Sequence, residues 1–218
     1  MNIKIAPSTN PPKPEDMLEY IKELNALDVD YIHCDIMDGK FVTATTFGAD
    51  ITKKIAEVTK IPLNVHLMVK KPKDVKQYIR AGASIVTIHL EAFEDIKQVI
   101  KTLLKIAKLG AIPSASIKPN TPLEKLWPIL GYVGMVLVMS VEPGKSGQEF
   151  IAGTLDRIAQ IKKKLGELGL DDVLVEVDGG VNNKNIADIK KTGADIVVVG
   201  NYLYSAVDRG EAIKKLKK

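Results

Sequence analysis

The densest group of chemically capable residues is Tyr31-Ile32-His33-Cys34-Asp35-Ile36-Met37-Asp38-Gly39. A strand alternates its side chains between two faces. His33, Asp35 and Met37 therefore share one face, and Ile32, Cys34 and Ile36 share the other. An imidazole and a carboxylate on the inward side of a strand are costly to bury unless they bind a metal, do chemistry or pair with partners. Comparable residues recur in Asn64-Val65-His66-Leu67-Met68 and in Glu176-Val177-Asp178-Gly179-Gly180. Together, His33, Asp35, His66 and Asp178 offer two imidazoles and two carboxylates, a donor set suited to one divalent ion such as Zn2+, Mn2+, Fe2+ or Co2+.

Whether they meet depends on the elements that carry them. Short apolar runs alternate with longer amphipathic runs throughout the chain. The expected strands are 3–6, 31–35, 63–66, 84–89, 111–117, 133–139, 173–177 and 195–199. Helices are expected at about 15–26, 50–59, 72–81, 94–108, 154–168 and 183–192, with a short helix near Pro122, a turn near Tyr202 and a last helix from about Gly210. Strands alternating with helices call for a parallel sheet with helical crossovers. Eight such units closing on themselves make an α/β fold of the (β/α)8 TIM-barrel type, here one domain over 1–218. A doubly wound open sheet is the alternative, but no G-x-G-x-x-G follows the first strand.

Barrels of this kind gather function at the C-terminal ends of their strands. Ser8, His33, Asp35, His66, Met139 and Asp178 all fall there. Glycine clusters form a second group: Gly144-Lys145-Ser146-Gly147 after the sixth strand, Gly179-Gly180 after the seventh and Gly200-Asn201 after the eighth. Glycine lets backbone N–H groups approach an anion, and the last loops of these barrels favour phosphate. A metal at strands two, three and seven beside a phosphate at strands six to eight suits a short phosphorylated sugar spanning the mouth. Met37, Met68 and Met139 also stand at strand ends. They read either as gap fillers or as an apolar layer keeping water off a carbanion-like intermediate.

Composition narrows the function classes. Net charge is +4 and the basic residues are spread out, the densest run being the tail at Lys214-Lys215-Leu216-Lys217-Lys218. Four Phe and one Trp give no aromatic-and-basic platform for nucleic acid. A single cysteine excludes an intramolecular disulfide. No signal peptide and no membrane-spanning apolar run is legible, so the expectation is a cytoplasmic protein without nucleic-acid or membrane partners.

Five motifs then combine: Ala6-Pro7-Ser8, His33-Cys34-Asp35-Ile36-Met37-Asp38-Gly39, His66-Leu67-Met68-Val69, Val141-Glu142-Pro143-Gly144 and Val177-Asp178-Gly179-Gly180-Val181. With them the chain resembles the ribulose-phosphate 3-epimerase family, the pentose-5-phosphate 3-epimerases, over nearly its whole length. The resemblance implies a (β/α)8 barrel, often oligomeric, with one divalent metal on His33, Asp35, His66 and Asp178. It implies Asp35 as base and Asp178 as acid, interconverting ribulose 5-phosphate and xylulose 5-phosphate through an enediolate. Ser8 and His66 match substrate contacts, as do the glycine loops with Lys145, Ser146 and Asn201.

The chain departs from the family pattern in places. Lys145 and Ser146 stand where the family has phenylalanine and glycine, Thr43-Ala44 where it has proline and asparagine, and Asn201 where it has serine. These departures leave a six-carbon substrate such as allulose 6-phosphate as an alternative. A phosphate-binding decarboxylase or lyase barrel is a further alternative, disfavoured because the second strand carries no lysine beside its acids. A non-catalytic sugar-phosphate sensor is the third.

Overall fold

Eight parallel strands run in the order β1-β8-β7-β6-β5-β4-β3-β2 in this computed structural model. It describes residues 3–72 and 74–218; Met1, Asn2 and Lys73, which the expected domain 1–218 includes, lie outside them. The strands are β1 (Lys4–Pro7), β2 (Ile32–Met37), β3 (Leu63–Met68), β4 (Ala83–His89), β5 (Ile112–Ile117), β6 (Met135–Met139), β7 (Leu174–Asp178) and β8 (Ile196–Val199). A parallel bridge between Ser8 and His33, with Thr9 N–H donating to the His33 carbonyl at 2.9 Å, draws the open edges of β1 and β2 together. The barrel expected from the alternation is thereby formed.

The helices are α1 (Met17–Leu24), α2 (Ala49–Val58), α3 (Val75–Arg80), α4 (Ile96–Lys108), α5 (Thr154–Glu167), α6 (Ile186–Lys191), α7 (Asn201–Tyr204) and α8 (Arg209–Lys217). Their apolar stripes face the barrel. On α4, Val99, Leu103 and Ile106 are buried at helical spacing, and each such side chain contributes about 1.5–3 kcal/mol. Asp95 starts α4 by accepting the Lys97 N–H at 2.9 Å.

One expected element takes 3-10 form and one expected boundary shifts. The short helix expected near Pro122 is present in 3-10 form, Leu123–Lys125 with Pro122 as its N-cap, followed by Trp127–Tyr132. α6 begins at Ile186, not near Asn183, because Asn182 and Asn185 spend their side chains on a turn. Both amides donate to the Gly180 carbonyl at 2.9 Å, and Asn185 Oδ1 accepts the Asn182 N–H.

Two apolar layers result. Outward strand residues such as Ile32, Cys34 and Ile36 pack with the helices. Ala6, Ile85, Met135, Leu137, Ile196 and Val198 form a smaller cluster of their own with Met139 and Val141. Most other strand positions facing the axis on β2, β3, β4 and β7 are polar and buried: His33, Asp35, Asn64, His66, Thr87, His89 and Glu176. The polar half of the barrel interior is where the site lies.

Candidate active site

The alternation on β2 turns His33 and Asp35 inward, and the β2–β3 register sets Asp35 opposite His66 and Met37 opposite Met68. Asp178 ends β7 opposite Met139 of β6. Ser140 braces that end by donating through its hydroxyl to the carbonyls of Asp178, at 2.8 Å, and Gly179, at 2.6 Å. Strands on opposite sides of the barrel thus deliver their side chains to one point. One donor atom each from His33, Asp35, His66 and Asp178 lies within 4.8 Å of the others. Asp35 Oδ1 is 3.5 Å from His33 Nε2 and 3.4 Å from His66 Nδ1. Asp178 Oδ2 is 3.8 and 3.7 Å from the same two nitrogens. Two nitrogen and two oxygen donors converging in a buried pocket fit a divalent cation.

The electrostatics separate the two acids. Burial would raise Asp35, but the charge of His33 above all, with both imidazoles close by, outweighs it and holds its carboxyl far below the usual range. Burial pushes Asp178 up to about 7, opposed by His33 and reinforced by the charges of Asp35 and Glu176. His33 is raised well above its ordinary value, because Asp35 and then Glu176 overcome the burial penalty. Ser8 Oγ donates to Asp35 Oδ2 at 2.7 Å, and Thr9 Oγ1 accepts the Asp35 N–H at 3.2 Å.

Above this cluster opens a cavity of about 280 Å³. Its walls include Ser8, Asp35, Met37, Met68, Met139 and Asp178 on one side, and Gly144, Lys145, Ser146, Gly147, Gly179, Gly180, Gly200 and Asn201 on the other. The loop after β6 closes on itself: Gln148 Nε2 donates to the carbonyls of Glu142, at 2.6 Å, and Lys145, at 2.8 Å. All three methionines are buried, and Met37 and Met68 pack with Val42. His66 sits beneath the floor, not on the wall, with one ring nitrogen toward Asp35 and the other toward His89. Thr43 and Ala44 do not line the cavity, whereas Lys145 and Ser146 do. Asp38 shapes the turn after β2: its carboxylate accepts the N–H groups of Lys40, Phe41 and Lys70.

Strand-end reading passed over several residues. His89 ends β4, and its Nε2 lies 2.8 Å from His66 Nε2. Its pattern His89-Leu90-Glu91 repeats the His-x-acid spacing of His33-Cys34-Asp35, which is the signal that would have found it. Burial lowers His89 to about 4, so this ring is neutral near pH 7. Glu176, two residues before Asp178 and so on the same face, is fully buried. Asn64 Nδ2 donates to both of its oxygens, at 2.7 and 2.8 Å. His33 Nδ1 points at Glu176 Oε1 from 3.7 Å and has no hydrogen-bond partner.

Comparison with known proteins identifies the lineage. The sequence pattern described as "Ribulose-phosphate 3 epimerase family" matches residues 4–204. The chain belongs to this family. It is 34% identical over 216 residues to the ribulose-phosphate 3-epimerase of Bacillus subtilis strain 168, covering 99% of this chain and 98% of that protein. It is 38% identical over 200 residues to the chloroplastic ribulose-5-phosphate-3-epimerase of Arabidopsis thaliana, covering 91% of this chain and 70% of that protein. A solved 3-hexulose-6-phosphate synthase superposes with a TM-score of 0.69 over 100% of this chain and 98% of its own. At 19% identity that likeness speaks to the barrel alone. Membership of the ribulose-phosphate 3-epimerase family makes the chain an isomerase, an epimerase acting on a carbohydrate. No helix among the described residues is long and apolar enough to cross a membrane.

Proposed function

We propose that this epimerase interconverts D-ribulose 5-phosphate and D-xylulose 5-phosphate by moving one proton at C3. The observation that carries this reading is the pair of carboxylates delivered by β2 and β7 around the same two imidazole nitrogens, under a cavity open to solvent. Inverting a carbon beside a ketone requires removing its proton from one face and returning a proton to the other. Two carriers from different sides of the barrel meet that requirement. Asp35, held ionised and steadied by the Ser8 hydroxyl, takes the proton in one direction. Asp178, whose environment favours its protonated form, returns one to the opposite face. In the reverse direction the roles exchange.

The residues that would hold a divalent metal are His33, Asp35, His66 and Asp178, and such an ion would supply Lewis-acid stabilisation of the enediolate oxygens. The chain's own groups do the rest. Met37, Met68 and Met139 exclude water from above the reacting carbon. The loops at Gly144–Gly147, Gly179–Gly180 and Gly200–Asn201 receive the phosphate, with Lys145 the only cationic side chain on the cavity wall among the described residues. Because Lys145 and Ser146 line the cavity and Thr43 and Ala44 do not, the choice between pentose and hexose phosphates is assigned to the former pair.

The test is solvent exchange. Metal-loaded protein with ribulose 5-phosphate in D2O should place deuterium at C3 and yield xylulose 5-phosphate by NMR. Asp35→Asn and Asp178→Asn should each abolish both signals while leaving the fold intact. Absence of exchange with this substrate, or exchange only with a ketohexose 6-phosphate, overturns the assignment.

A further inference from the structure

The imidazole of His66 has two nitrogens facing two different environments. Its Nδ1 faces the cluster, 3.4 Å from Asp35 Oδ1 and 3.3 Å from His33 Nε2. Its Nε2 meets His89 Nε2 at 2.8 Å. Two ring nitrogens at that distance share one proton, so one donates and the other accepts. Which of them donates decides whether His66 can bind a metal. If His89 donates, the proton of neutral His66 sits on Nδ1 and blocks the cluster. If His66 donates, Nδ1 presents a lone pair to it.

His89 is in turn governed by Glu91. Its Nδ1 lies 3.3 Å from Glu91 Oε2. Glu91 is an acceptor in its other contacts too: Oε1 takes the Lys118 N–H at 2.8 Å and the hydroxyl of Thr121. A carboxylate facing Nδ1 of a neutral imidazole demands a proton there, which leaves His89 Nε2 as an acceptor. Asp35 Oδ1, 3.4 Å from His66 Nδ1, competes for the His66 proton. But a proton on both Nδ1 atoms would leave two lone pairs face to face at 2.8 Å, and Asp35 is already served by the Ser8 hydroxyl and by His33. His66 therefore donates through Nε2. The carboxylate itself is anchored from outside the barrel. Arg157 of α5 donates to the carbonyls of Lys118, at 3.3 Å, and Thr121, at 2.9 Å, fixing the loop that holds Glu91. Phe41 covers the His89 ring with centroids 4.8 Å apart.

We propose that Glu91 and His89 are positioning residues, a two-member relay that sets the tautomer and orientation of His66 so that its Nδ1 lone pair faces the metal cluster. The assignment rests on the metal reading given above. Neither residue lines the cavity above the cluster, so neither touches the sugar. Outer-shell partners of this kind tune affinity by orienting the ligand and raising its basicity.

The experiment uses 15N-histidine-labelled protein without metal, and direct titration with Zn2+ and Mn2+ in a calorimeter. The wild type should show His66 protonated at Nε2. Glu91→Gln keeps an acceptor for the Lys118 N–H but can offer its NH2 to His89. It should move His66 toward the Nδ1-protonated form and weaken metal binding about ten- to hundredfold. His89→Phe, which removes the acceptor and keeps an aromatic ring under Phe41, should weaken binding similarly. Both variants should melt as cooperatively as the wild type, and if His89→Phe does not fold, Glu91→Gln alone decides. Wild-type tautomer and metal affinity in Glu91→Gln would overturn the relay. A wild type that binds neither metal would overturn the metal reading, and the tautomer spectra would still decide the relay separately.

Discussion

Gly180→Ala tests whether the turn after β7 shapes the anion cradle. Gly180 has φ +64°, a left-handed conformation that costs an L-residue about 1–2 kcal/mol. A Cβ there would lie 2.5 Å from the Phe150 nitrogen and 2.9 Å from the Gln148 carbonyl oxygen, where ordinary contact begins at 3.4 Å. Both obstacles are backbone atoms, so no rotamer change relieves them. Segment 148–150 must move by roughly 0.9 Å, at a further cost of about 1–3 kcal/mol. The melting temperature should fall by on the order of 10 °C. The same movement displaces the loop that Gln148 ties together, and an error of about 1 Å in positioning costs roughly 100-fold in rate. We expect kcat/KM for ribulose 5-phosphate to fall by that factor, and inhibition by inorganic phosphate to weaken in parallel. Gly110→Ala is the control: its φ is +89°, but nothing lies within 4 Å of the added Cβ. It should lose stability and keep the kinetics. Gly180→Ala with KM and kcat/KM within about twofold of wild type would refute a cradle role for this turn.

Chelation should destabilise the holoprotein. A metal at about 100 times its Kd contributes about 2.7 kcal/mol, so stripping it should lower the melting temperature by roughly 5–10 °C; an unchanged melt would argue that the four-residue cluster holds no ion. Ser8→Ala removes the 2.7 Å hydrogen bond to Asp35, a charge-assisted contact worth about 1.5–3 kcal/mol. It should lower kcat about 10- to 100-fold. Asp35 works ionised and its carboxyl is held low, so activity is lost as pH falls through that value, and the variant should lose it at higher pH; an unmoved acid limb counts against Asp35 as base. Cys34 is fully buried, and burial pushes its thiol far up. A disulfide reagent should label it only after denaturation, and rapid labelling of the native protein would contradict the outward register of Cys34 on β2.

Local rules made the barrel and half the site legible. The period-two alternation of β2 put His33 and Asp35 on one face and Cys34 on the other, because adjacent side chains in a strand point opposite ways. Alternating strands and helices made the sheet parallel and sent the strand ends to one mouth. The same logic extended to Glu176, which shares the face of Asp178, and to His89, which ends β4 as His66 stands near the end of β3. Those two were missed because isolated polar residues gain meaning only from a partner.

The partners were a matter of tertiary structure. Asn64 and Glu176 are 112 residues apart in sequence and form a bidentate contact only because the sheet curls round on itself. His66 reads equally well as a substrate contact or a ligand in the sequence. Its place beneath Asp35, with His89 behind it, follows from the stagger of β2, β3 and β4. α6 begins late because two asparagines have partners in the Gly180 turn. Sequence by itself determined which residues face inward, since that depends on neighbours one and two positions away. Only closure of the barrel decided which of them meet, since contact across the axis depends on strand order and register, which no short window of the chain contains.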